Sequence, residues 1–223
     1  TAVFNMLSGY SEPANWNRLI VAPIWMKKRF LEMIHRETKN AKEGKPAKII
    51  AKCNSLCDRK IILALYEASC AGVQVDLIVR GICCLVAGKP GVSENIRVRS
   101  IVGTFLEHAR IFYFYNDGYE EIYMGSADWM PRNLDRRVEI VFPVEEEELK
   151  EKAKHILDVQ LSDTLKAHRL LEDGTYQKVD RRGKEAIEAQ KTFCEEAIAA
   201  ANESKKKVPK KRTFDPRFSP QEE

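Results

Sequence analysis

The sequence lacks any apolar run long enough to span a bilayer, and it lacks the charged, then apolar N-terminus of a secretory signal peptide. It also lacks a strong charge imbalance, because 37 basic side chains are offset by 33 acidic ones, which leaves a net charge of +4. A balance this small does not by itself indicate a polyanion partner. These absences favour a cytoplasmic protein and leave peripheral association with the inner membrane open.

Cysteine spacing typical of a metal site is missing as well. Among the six cysteines, three residues separate Cys53 from Cys57, and Cys83 is adjacent to Cys84. These intervals match no common zinc-ligand pattern, so the sequence predicts reduced thiols, several of them buried, and no metal site. No internal repeat is present.

The composition indicates which part of the chain folds. Hydrophobic residues make up 44% of the sequence, which is enough for a core, and residues 1–203 are predicted to form one domain. Residues 204–223 are polar, lysine-rich and proline-bearing, a composition typical of a disordered tail. The chain begins with threonine rather than methionine, which suggests a fragment of a longer protein or a processed chain.

Apolar periodicity predicts strands that alternate with helices in the first third of the chain and then pair locally. The predicted strands are 18–22, 48–52, 73–79, 96–102, 110–115, 121–124 and 138–142. The predicted helices are 26–41, 58–72, 149–161 and 182–202. The sequence Asn116-Asp117-Gly118 indicates a turn between two paired strands. The predicted fold class is α/β, a mixed β-sheet flanked by helices.

A histidine and an arginine two positions apart lead into an aromatic-rich strand. Side chains two apart share one face of a strand, so His108 and Arg110 would point the same way if the strand begins at His108. Both could then reach one phosphate, with the imidazole as nucleophile or proton donor and the guanidinium neutralising oxygen charge. The alternative is a structural histidine, hydrogen-bonded near a strand end.

Arg80 is placed by the pattern at the carboxyl end of a strand, and Gly81 follows it. Ligands of open α/β sheets bind beyond the carboxyl ends of strands, and glycine allows close approach to the backbone. The sequence therefore predicts that Arg80 contacts a phosphate. The alternative is an arginine paired with a nearby carboxylate, either Asp76 or Glu94.

The small residues at 125–128, Gly-Ser-Ala-Asp, predict a tight turn with exposed backbone N–H groups. Ser126 could donate a hydrogen bond to a phosphate oxygen. Asp128 could orient a neighbouring histidine or arginine. The turn is therefore predicted to contribute two phosphate-site residues.

Three arginines follow this turn. Arg132, Arg136 and Arg137 are predicted to form a cationic wall, partly held by Asp135 and Glu139. A salt-bridged surface loop is the alternative. Because exposed ion pairs contribute only about 0–1 kcal/mol, stability is a weak reason to gather so many charges.

Residues 52–56 run from a strand end to a helix start, where backbone N–H groups can surround an anion. Lys52, Asn54 and Ser55 are therefore predicted to contact phosphate. Simple capping of the helix by Asp58 is the alternative, but it leaves Lys52 unexplained.

The segments that contain these residues resemble the C-terminal domain of polyphosphate kinase of the first type. They are AKCNSLCDRKIILALYEASCAGVQVDLIVRGICCL, ENIRVRSIVGTFLEHARIFYFY and MGSADWMPRNLDRRVEIVFPV. The resemblance extends from about residue 4 to about residue 200. It implies a phospholipase-D-like α/β fold, in which two half-domains share one active site.

The resemblance also implies the chemistry. ATP would donate its γ-phosphate to a histidine, and the phosphohistidine would pass it reversibly to polyphosphate. By similarity, Arg80 and His108 contact the phosphates of ATP or ADP, and His108 is the catalytic residue of this chain. The phosphorylated histidine and the ligands of Mg²⁺ would lie elsewhere in the enzyme. The expected partners are therefore the remaining domains and, in the full-length protein, further copies, without nucleic acid. The fragment alone is expected to be inactive.

One departure separates two hypotheses. In the phospholipase D superfamily a lysine follows the histidine by two residues, and an aspartate follows the lysine by five. Here Arg110 replaces the lysine and Tyr115 occupies the aspartate position. This departure favours a kinase over a phospholipase-D-type phosphodiesterase or nuclease. A third hypothesis is a polyanion-binding module whose affinity falls steeply with salt.

Overall fold

The computed structural model describes residues 2–9, 16 and 18–207. Nine strands are present: β1 (Ile20–Val21), β2 (Lys48–Cys53), β3 (Gln74–Val79), β4 (Ile96–Ile101), β5 (Ile111–Phe114), β6 (Glu121–Gly125), β7 (Ile140–Val144), β8 (Ala167–Leu170) and β9 (Tyr176–Lys178). They form one sheet in the order β1-β7-β6-β5-β2-β3-β4-β8-β9. The mixed α/β fold is therefore confirmed.

Six α-helices are found among the described residues: α1 (Ala2–Leu7), α2 (Met26–Lys42), α3 (Arg59–Cys70), α4 (Pro131–Asp135), α5 (Glu147–Ser162) and α6 (Ala189–Lys207). The predicted cap of α3 is confirmed, because the Asp58 carboxylate accepts hydrogen bonds from the N–H groups of Lys60 and Ile61. None of the described helices is both long enough and apolar enough to cross a membrane.

The register of the sheet brings several strand ends to one edge. Strands β2, β3 and β4 run parallel, while β5 runs antiparallel beside β2. Lys52 lies opposite Ile111, and Ile78 lies opposite Arg99. The carboxyl ends of β2, β3 and β4 therefore meet the start of β5, and β6 ends there too. We call this the carboxyl edge.

Alternation along β2 divides the core into two layers. Ile49, Ala51 and Cys53 belong to the layer that also contains the buried side chains of α2 and α3, whereas Ile50 belongs to the opposite layer with α5. Lys52 shares the parity of Ile50, so its side chain points to the α5 side. Strand alternation thus decides which side of the sheet each strand-end residue reaches.

A buried aromatic cluster lies beneath the carboxyl edge. The ring centroids of Phe112 and Trp129 are 5.2 Å apart, and those of Phe30 and Phe112 are 4.7 Å apart. Trp129 is fully buried and directly follows Asp128. A bulky side chain packed on both sides fixes the backbone next to it, so the 125–128 turn has a rigid base.

Several boundaries differ from the sequence-based expectations. The β5–β6 hairpin is confirmed, although β7 begins at Ile140 rather than at residue 138, and β1 has only two residues. The helices α1 and α4 and the strands β8 and β9 were not predicted, because short elements with exposed side chains carry little periodicity. Helix α6 begins at Ala189 and continues through residues 204–207, which were predicted as tail. Residues 208–223 lie outside the described part of the chain.

Candidate active site

A continuous chain of hydrogen bonds runs along the carboxyl edge. The Arg80 Nε donates to the Asn54 side-chain oxygen over 3.2 Å, and the Asn54 N–H donates to Asp128 Oδ1 over 2.7 Å. Arg110 binds the same carboxylate and donates through Nη1 to the His108 carbonyl over 2.7 Å. Residues predicted separately from three parts of the sequence therefore lie together.

Asp128 is the centre of this chain. Its two carboxylate oxygens each accept a hydrogen bond from the Arg110 guanidinium, from Nε and Nη2, both over 3.2 Å. This paired geometry fixes the plane of the guanidinium. The Asp128 side chain is 10% exposed and that of Arg110 is 16% exposed, so the pair is largely shielded from solvent. As predicted from the sequence, Asp128 orients an arginine.

His108 lies in a loop rather than on the strand. Because β5 begins at Ile111, the expectation that His108 and Arg110 share one face of a strand is wrong. Arg110 turns toward Asp128 instead, while His108 is exposed. Within residues 2–9, 16 and 18–207, no group hydrogen-bonds the His108 ring, so the structural alternative for this histidine finds no support there.

Arg80 is held by an amide and not by a carboxylate. The carboxylate of Asp76 pairs with Arg97 over 2.9 Å, and Arg80 forms no ion pair with any described residue, Glu94 included. The alternative of a locally paired Arg80 is therefore wrong. At Gly81, a Cβ would lie 2.8 Å from the Asn54 carbonyl oxygen, so this position requires glycine for the close approach of the two loops.

An open cleft of about 580 Å³ lies beside Arg80. Its walls include Gly81 and the exposed side chains of Val102, Phe105 and Leu106. A guanidinium bordered by exposed apolar surface suits a ligand that carries both an anionic and an apolar part.

The hydroxyl of Ser126 is already engaged. It donates to the Glu139 carboxylate and accepts from the Ile140 N–H over 3.2 Å, and Asn133 donates to the same carboxylate over 2.5 Å. A hydroxyl has one proton to donate, so Ser126 as placed cannot donate to a phosphate. The predicted Ser126 contact is therefore corrected to a structural one. Gly125 allows this packing, because a Cβ there would collide with the Ile140 carbonyl.

The three arginines near α4 are less restrained than the sequence suggested. Arg132, Arg136 and Arg137 are exposed, and none forms a hydrogen bond or ion pair through its side chain within the described part of the chain. Asp135 pairs with Lys27 and Glu139 is bonded inside the turn, so neither carboxylate holds them as expected. The salt-bridged loop is therefore wrong, and these guanidinium groups are available to an external anion.

Lys52 does not belong to the phosphate-facing group. Its side chain is 5% exposed and its Nζ lies 2.7 Å from Glu107 Oε2, on the α5 side of the sheet. Its charge is therefore neutralised inside the protein, and the prediction of a phosphate contact from Lys52 is corrected.

The predicted backbone anion nest at residues 52–56 is partly occupied. The N–H of Asn54 donates to Asp128, that of Leu56 to the Ile82 carbonyl, and that of Cys57 to the Trp129 carbonyl. Donors that already have protein acceptors are not free for an anion. Ser55, which is half-buried, remains beside Gly81, and the side chain of Asn54 contacts Arg80.

The cysteines and carboxylates form no metal centre in the described residues. No group of three or more histidine, cysteine, aspartate or glutamate side chains there could hold an ion. All six cysteines are free. Burial and the neighbouring Cys84 thiol raise the pKa of Cys57 to about 12, and burial also raises the pKa of Cys53, so both are thiols at neutral pH.

Replacement of Asp128 by Ala is expected to destabilise the fold. The change leaves Arg110 without its anion and the Asn54 N–H without its acceptor, and removing one partner of a buried ion pair costs about 3–5 kcal/mol. Urea denaturation measures the loss. The matched control is Asp158→Ala on the exposed side of α5, which is expected to change stability by less than about 0.5 kcal/mol. If the two variants unfold at the same urea concentration, Asp128 does not hold the hydrogen-bond chain together.

Two groups in this region were not predicted. Glu107 accepts hydrogen bonds from Lys52, Gln160 and Gln190, and Gln190 also contacts the loop that carries His108. The position of Glu107 beside His108 was the only local signal. Gln190 lies 82 positions after His108 in sequence, so no spacing argument connects them.

Comparison with known proteins identifies the family of this chain. The family described as "Polyphosphate kinase C-terminal domain 2" matches residues 19–190. A polyphosphate kinase of Synechocystis sp. is 52% identical over 204 residues, which are 91% of this chain and 28% of that protein. A polyphosphate kinase of Pseudomonas aeruginosa is 53% identical over 81% of this chain and 26% of its own length.

A solved structure also resembles this chain. The crystal structure of polyphosphate kinase from Porphyromonas gingivalis superposes with a TM-score of 0.85 at 40% identity, over 91% of this chain and 31% of that one. The chain thus spans about a quarter to a third of the relatives it matches. With the family match covering more than half of its residues, the chain belongs to the polyphosphate kinase C-terminal domain family.

Proposed function

We propose that this chain is the C-terminal catalytic part of an ATP:polyphosphate phosphotransferase and that its carboxyl edge binds phosphate chains. The observation that carries the proposal is the hydrogen-bond chain from Arg80 through Asn54, Asp128 and Arg110 to the backbone of His108. It holds two guanidinium groups at fixed positions beside an exposed imidazole. Phosphoryl transfer depends mainly on such positioning and on charge stabilisation.

Each group has a distinct part in this proposal. Arg80 neutralises phosphate oxygens of ATP or ADP at the cleft, with its apolar wall available to the rest of the nucleotide. Arg110, whose charge is balanced by Asp128, positions His108 through the hydrogen bond from its Nη1 to the His108 carbonyl. The imidazole of His108 reaches the phosphates and donates a proton to an oxygen as charge develops there. Arg132 and Arg136, which are exposed beyond the turn, attract the polyphosphate chain.

The remaining components belong to other parts of the polypeptide. The proposed reaction transfers the ATP γ-phosphoryl group to a histidine outside this chain and from there to polyphosphate, reversibly. The described residues offer no cluster that could hold Mg²⁺, so its ligands in the proposed enzyme come from other domains or from the substrate phosphates. We propose cytoplasmic localisation and homo-oligomeric assembly for the full-length protein, with membrane association limited to the periphery.

A domain exchange tests the proposal. This chain replaces the corresponding C-terminal part of a full-length polyphosphate kinase, and ³²P transfer from [γ-³²P]ATP to polyphosphate is measured together with hydrolysis of a generic phosphodiester. The expected result is ATP-dependent polyphosphate synthesis without phosphodiester hydrolysis, and no synthesis by the isolated chain. Phosphodiester hydrolysis without phosphoryl transfer would contradict the proposal. We do not favour the phosphodiesterase alternative, because Tyr115 occupies the position of its aspartate.

A polyanion-binding module is distinguished by nucleotide preference. At constant ionic strength, ATP is expected to displace polyphosphate from the exchanged protein at lower concentration than an equally charged inorganic tripolyphosphate does. This preference is expected because the apolar wall of the Arg80 cleft can pack against a base and ribose, which inorganic tripolyphosphate lacks. Equal displacement by both would favour simple charge binding.

A further inference from the structure

The loop at 102–110 connects β4 to β5 and carries His108. Its apolar side chains do not anchor it, because Val102, Phe105 and Leu106 are 66%, 59% and 70% exposed. A loop without buried apolar contacts is mobile unless polar contacts hold it. The contacts that hold this loop are therefore of functional interest.

Gln190, at the start of α6, binds the backbone of this loop through both ends of its amide. Its Oε1 accepts from the Phe105 N–H over 2.9 Å, and its Nε2 donates to the Phe105 carbonyl over 2.8 Å. The same Nε2 donates to Glu107 Oε1 over 3.0 Å. The fit is close, because a Cβ at Gly103 would collide with the Gln190 amide. The Gln190 side chain thus matches this loop in shape and in hydrogen-bonding pattern.

Glu107 is the second anchor, and three elements converge on it. Lys52 of β2 pairs with it over 2.7 Å, Gln160 of α5 donates to it, and Gln190 of α6 donates to it. Lys52, Gln160 and Gln190 are each less than 9% exposed, so these contacts are shielded from water. Burial raises the pKa of Glu107, but the hydrogen bonds from Lys52 and Gln190 outweigh burial and hold it below its ordinary value. The carboxylate is therefore ionised at neutral pH.

These contacts enclose the backbone of His108 from both sides. Glu107, the preceding residue, is fixed by buried partners, and the His108 carbonyl accepts from Arg110 Nη1 over 2.7 Å. The histidine backbone is thereby confined although its ring is free to meet a ligand. This arrangement is the one expected for a group that must be positioned without being blocked.

We infer that Gln190 and Glu107 are positioning residues, which hold the 102–110 loop so that His108 meets the phosphates at the carboxyl edge. The inference deepens the proposed function and rests on it, because it assigns α6 and the buried Lys52–Glu107 pair to the same site. It also assigns a role to Lys52, which was wrongly predicted to contact phosphate and pairs with Glu107 instead. We call Gln190, Glu107, Gln160 and Lys52 the latch. These residues act through His108 and contact no substrate.

The first test is Gln190→Leu, which keeps the side-chain size and removes all three hydrogen bonds without leaving a buried charge. In this chain, hydrogen–deuterium exchange of the amides at 102–110 is expected to rise by about tenfold or more, as local opening becomes easier. In the exchanged full-length enzyme, kcat is expected to fall by up to about 100-fold while KM for polyphosphate stays within about twofold, because misplacement affects the transition state most. The matched control is Gln74→Leu, an exposed glutamine at the opposite end of β3.

The second test swaps the side chains of Glu107 and Gln190. Glu107→Gln leaves Lys52 without an anion, and Gln190→Glu places two carboxylates together, so each single change is expected to lower kcat by about 10-fold or more. The double variant Glu107→Gln/Gln190→Glu restores one anion and one amide in the same cluster. It is expected to recover part of the lost kcat but not all of it, because a carboxylate at position 190 cannot donate to the Phe105 carbonyl. A purely structural effect on stability would show in thermal unfolding without this recovery of kcat.

The outcomes separate the inference from the proposed function. If Gln190→Leu shows the same hydrogen–deuterium exchange at 102–110 and the same kcat as the parental protein, the inference about the latch is wrong. The proposed function would not be affected. If the full-length enzyme that carries the unmutated chain shows no phosphoryl transfer, the proposed function is wrong. Hydrogen–deuterium exchange at 102–110 would then decide by itself whether the latch holds the loop. Additive losses in the double variant would also overturn the assignment of these two residues as partners.

Discussion

Arg80→Ala is expected to reduce turnover of the exchanged full-length enzyme by about 30- to 1,000-fold, or about 2–4 kcal/mol of transition-state stabilisation. The reason is geometric: the Asn54 amide holds the guanidinium at the carboxyl edge, so no reorganisation is needed when phosphate charge develops. Stability is expected to change little, since Arg80 forms no ion pair with a described residue. The measurement is kcat for ATP-dependent polyphosphate synthesis, with urea denaturation in parallel.

Two further variants sharpen this result. Arg80→Lys keeps the charge but loses the Nε contact to Asn54, so an intermediate rate is expected. Arg182→Ala removes an exposed arginine whose one ion-pair partner among the described residues is Asp180, and parental turnover is expected. If the kcat of Arg80→Ala equals the parental kcat, the role assigned to Arg80 is wrong, even if the enzyme synthesises polyphosphate.

His108→Gln is expected to remove most activity and to leave the fold intact. Glutamine cannot donate or accept a proton as imidazole does, and loss of general acid–base catalysis costs about 10²- to 10⁴-fold. Because the His108 ring is exposed and has no hydrogen-bond partner among residues 2–9, 16 and 18–207, the free energy of unfolding is expected to stay within about 0.5 kcal/mol. Turnover and thermal unfolding are measured on the same preparations.

The matched control is His168→Gln. This histidine is also exposed, lies on β8 and contacts the Lys166 carbonyl through Nδ1 over 3.0 Å. Parental activity is expected. A midpoint shift of many degrees in His108→Gln, with activity scaling to the folded fraction, would show that the structural interpretation of His108 was correct after all.

The sequence located Arg80 because its surroundings carry a strong local signal. A run of buried apolar residues ends one position before it, and a strand of that kind can be recognised from composition alone. The same reasoning failed at His108 and Arg110, where the strand begins three residues after the histidine. Asp128 draws Arg110 away from the strand direction, and a pairing between residues 18 positions apart has no local signature.

Partners of charged side chains were the least predictable part. Lys52 is two residues after Ile50, so strand alternation could have placed its side chain on the α5 side. No sequence pattern near Lys52 predicts its ion pair with Glu107. Asp135 was assigned to the neighbouring arginines, yet Lys27, from the start of α2, takes it. Ion pairs form between groups that folding brings together, and sequence distance does not restrict them.

The amino-acid sequence by itself determined the mixed α/β architecture, the cap of α3, the β5–β6 hairpin and the family, because apolar periodicity and long motifs are local properties. Only the tertiary structure decided that Lys52 and Ser126 are engaged inside the protein and that Arg132, Arg136 and Arg137 are not held by local carboxylates. It alone brought α6 to the loop of His108. The physical reason is that hydrogen bonds and burial depend on distances in space, which a strand register and two packed layers set together.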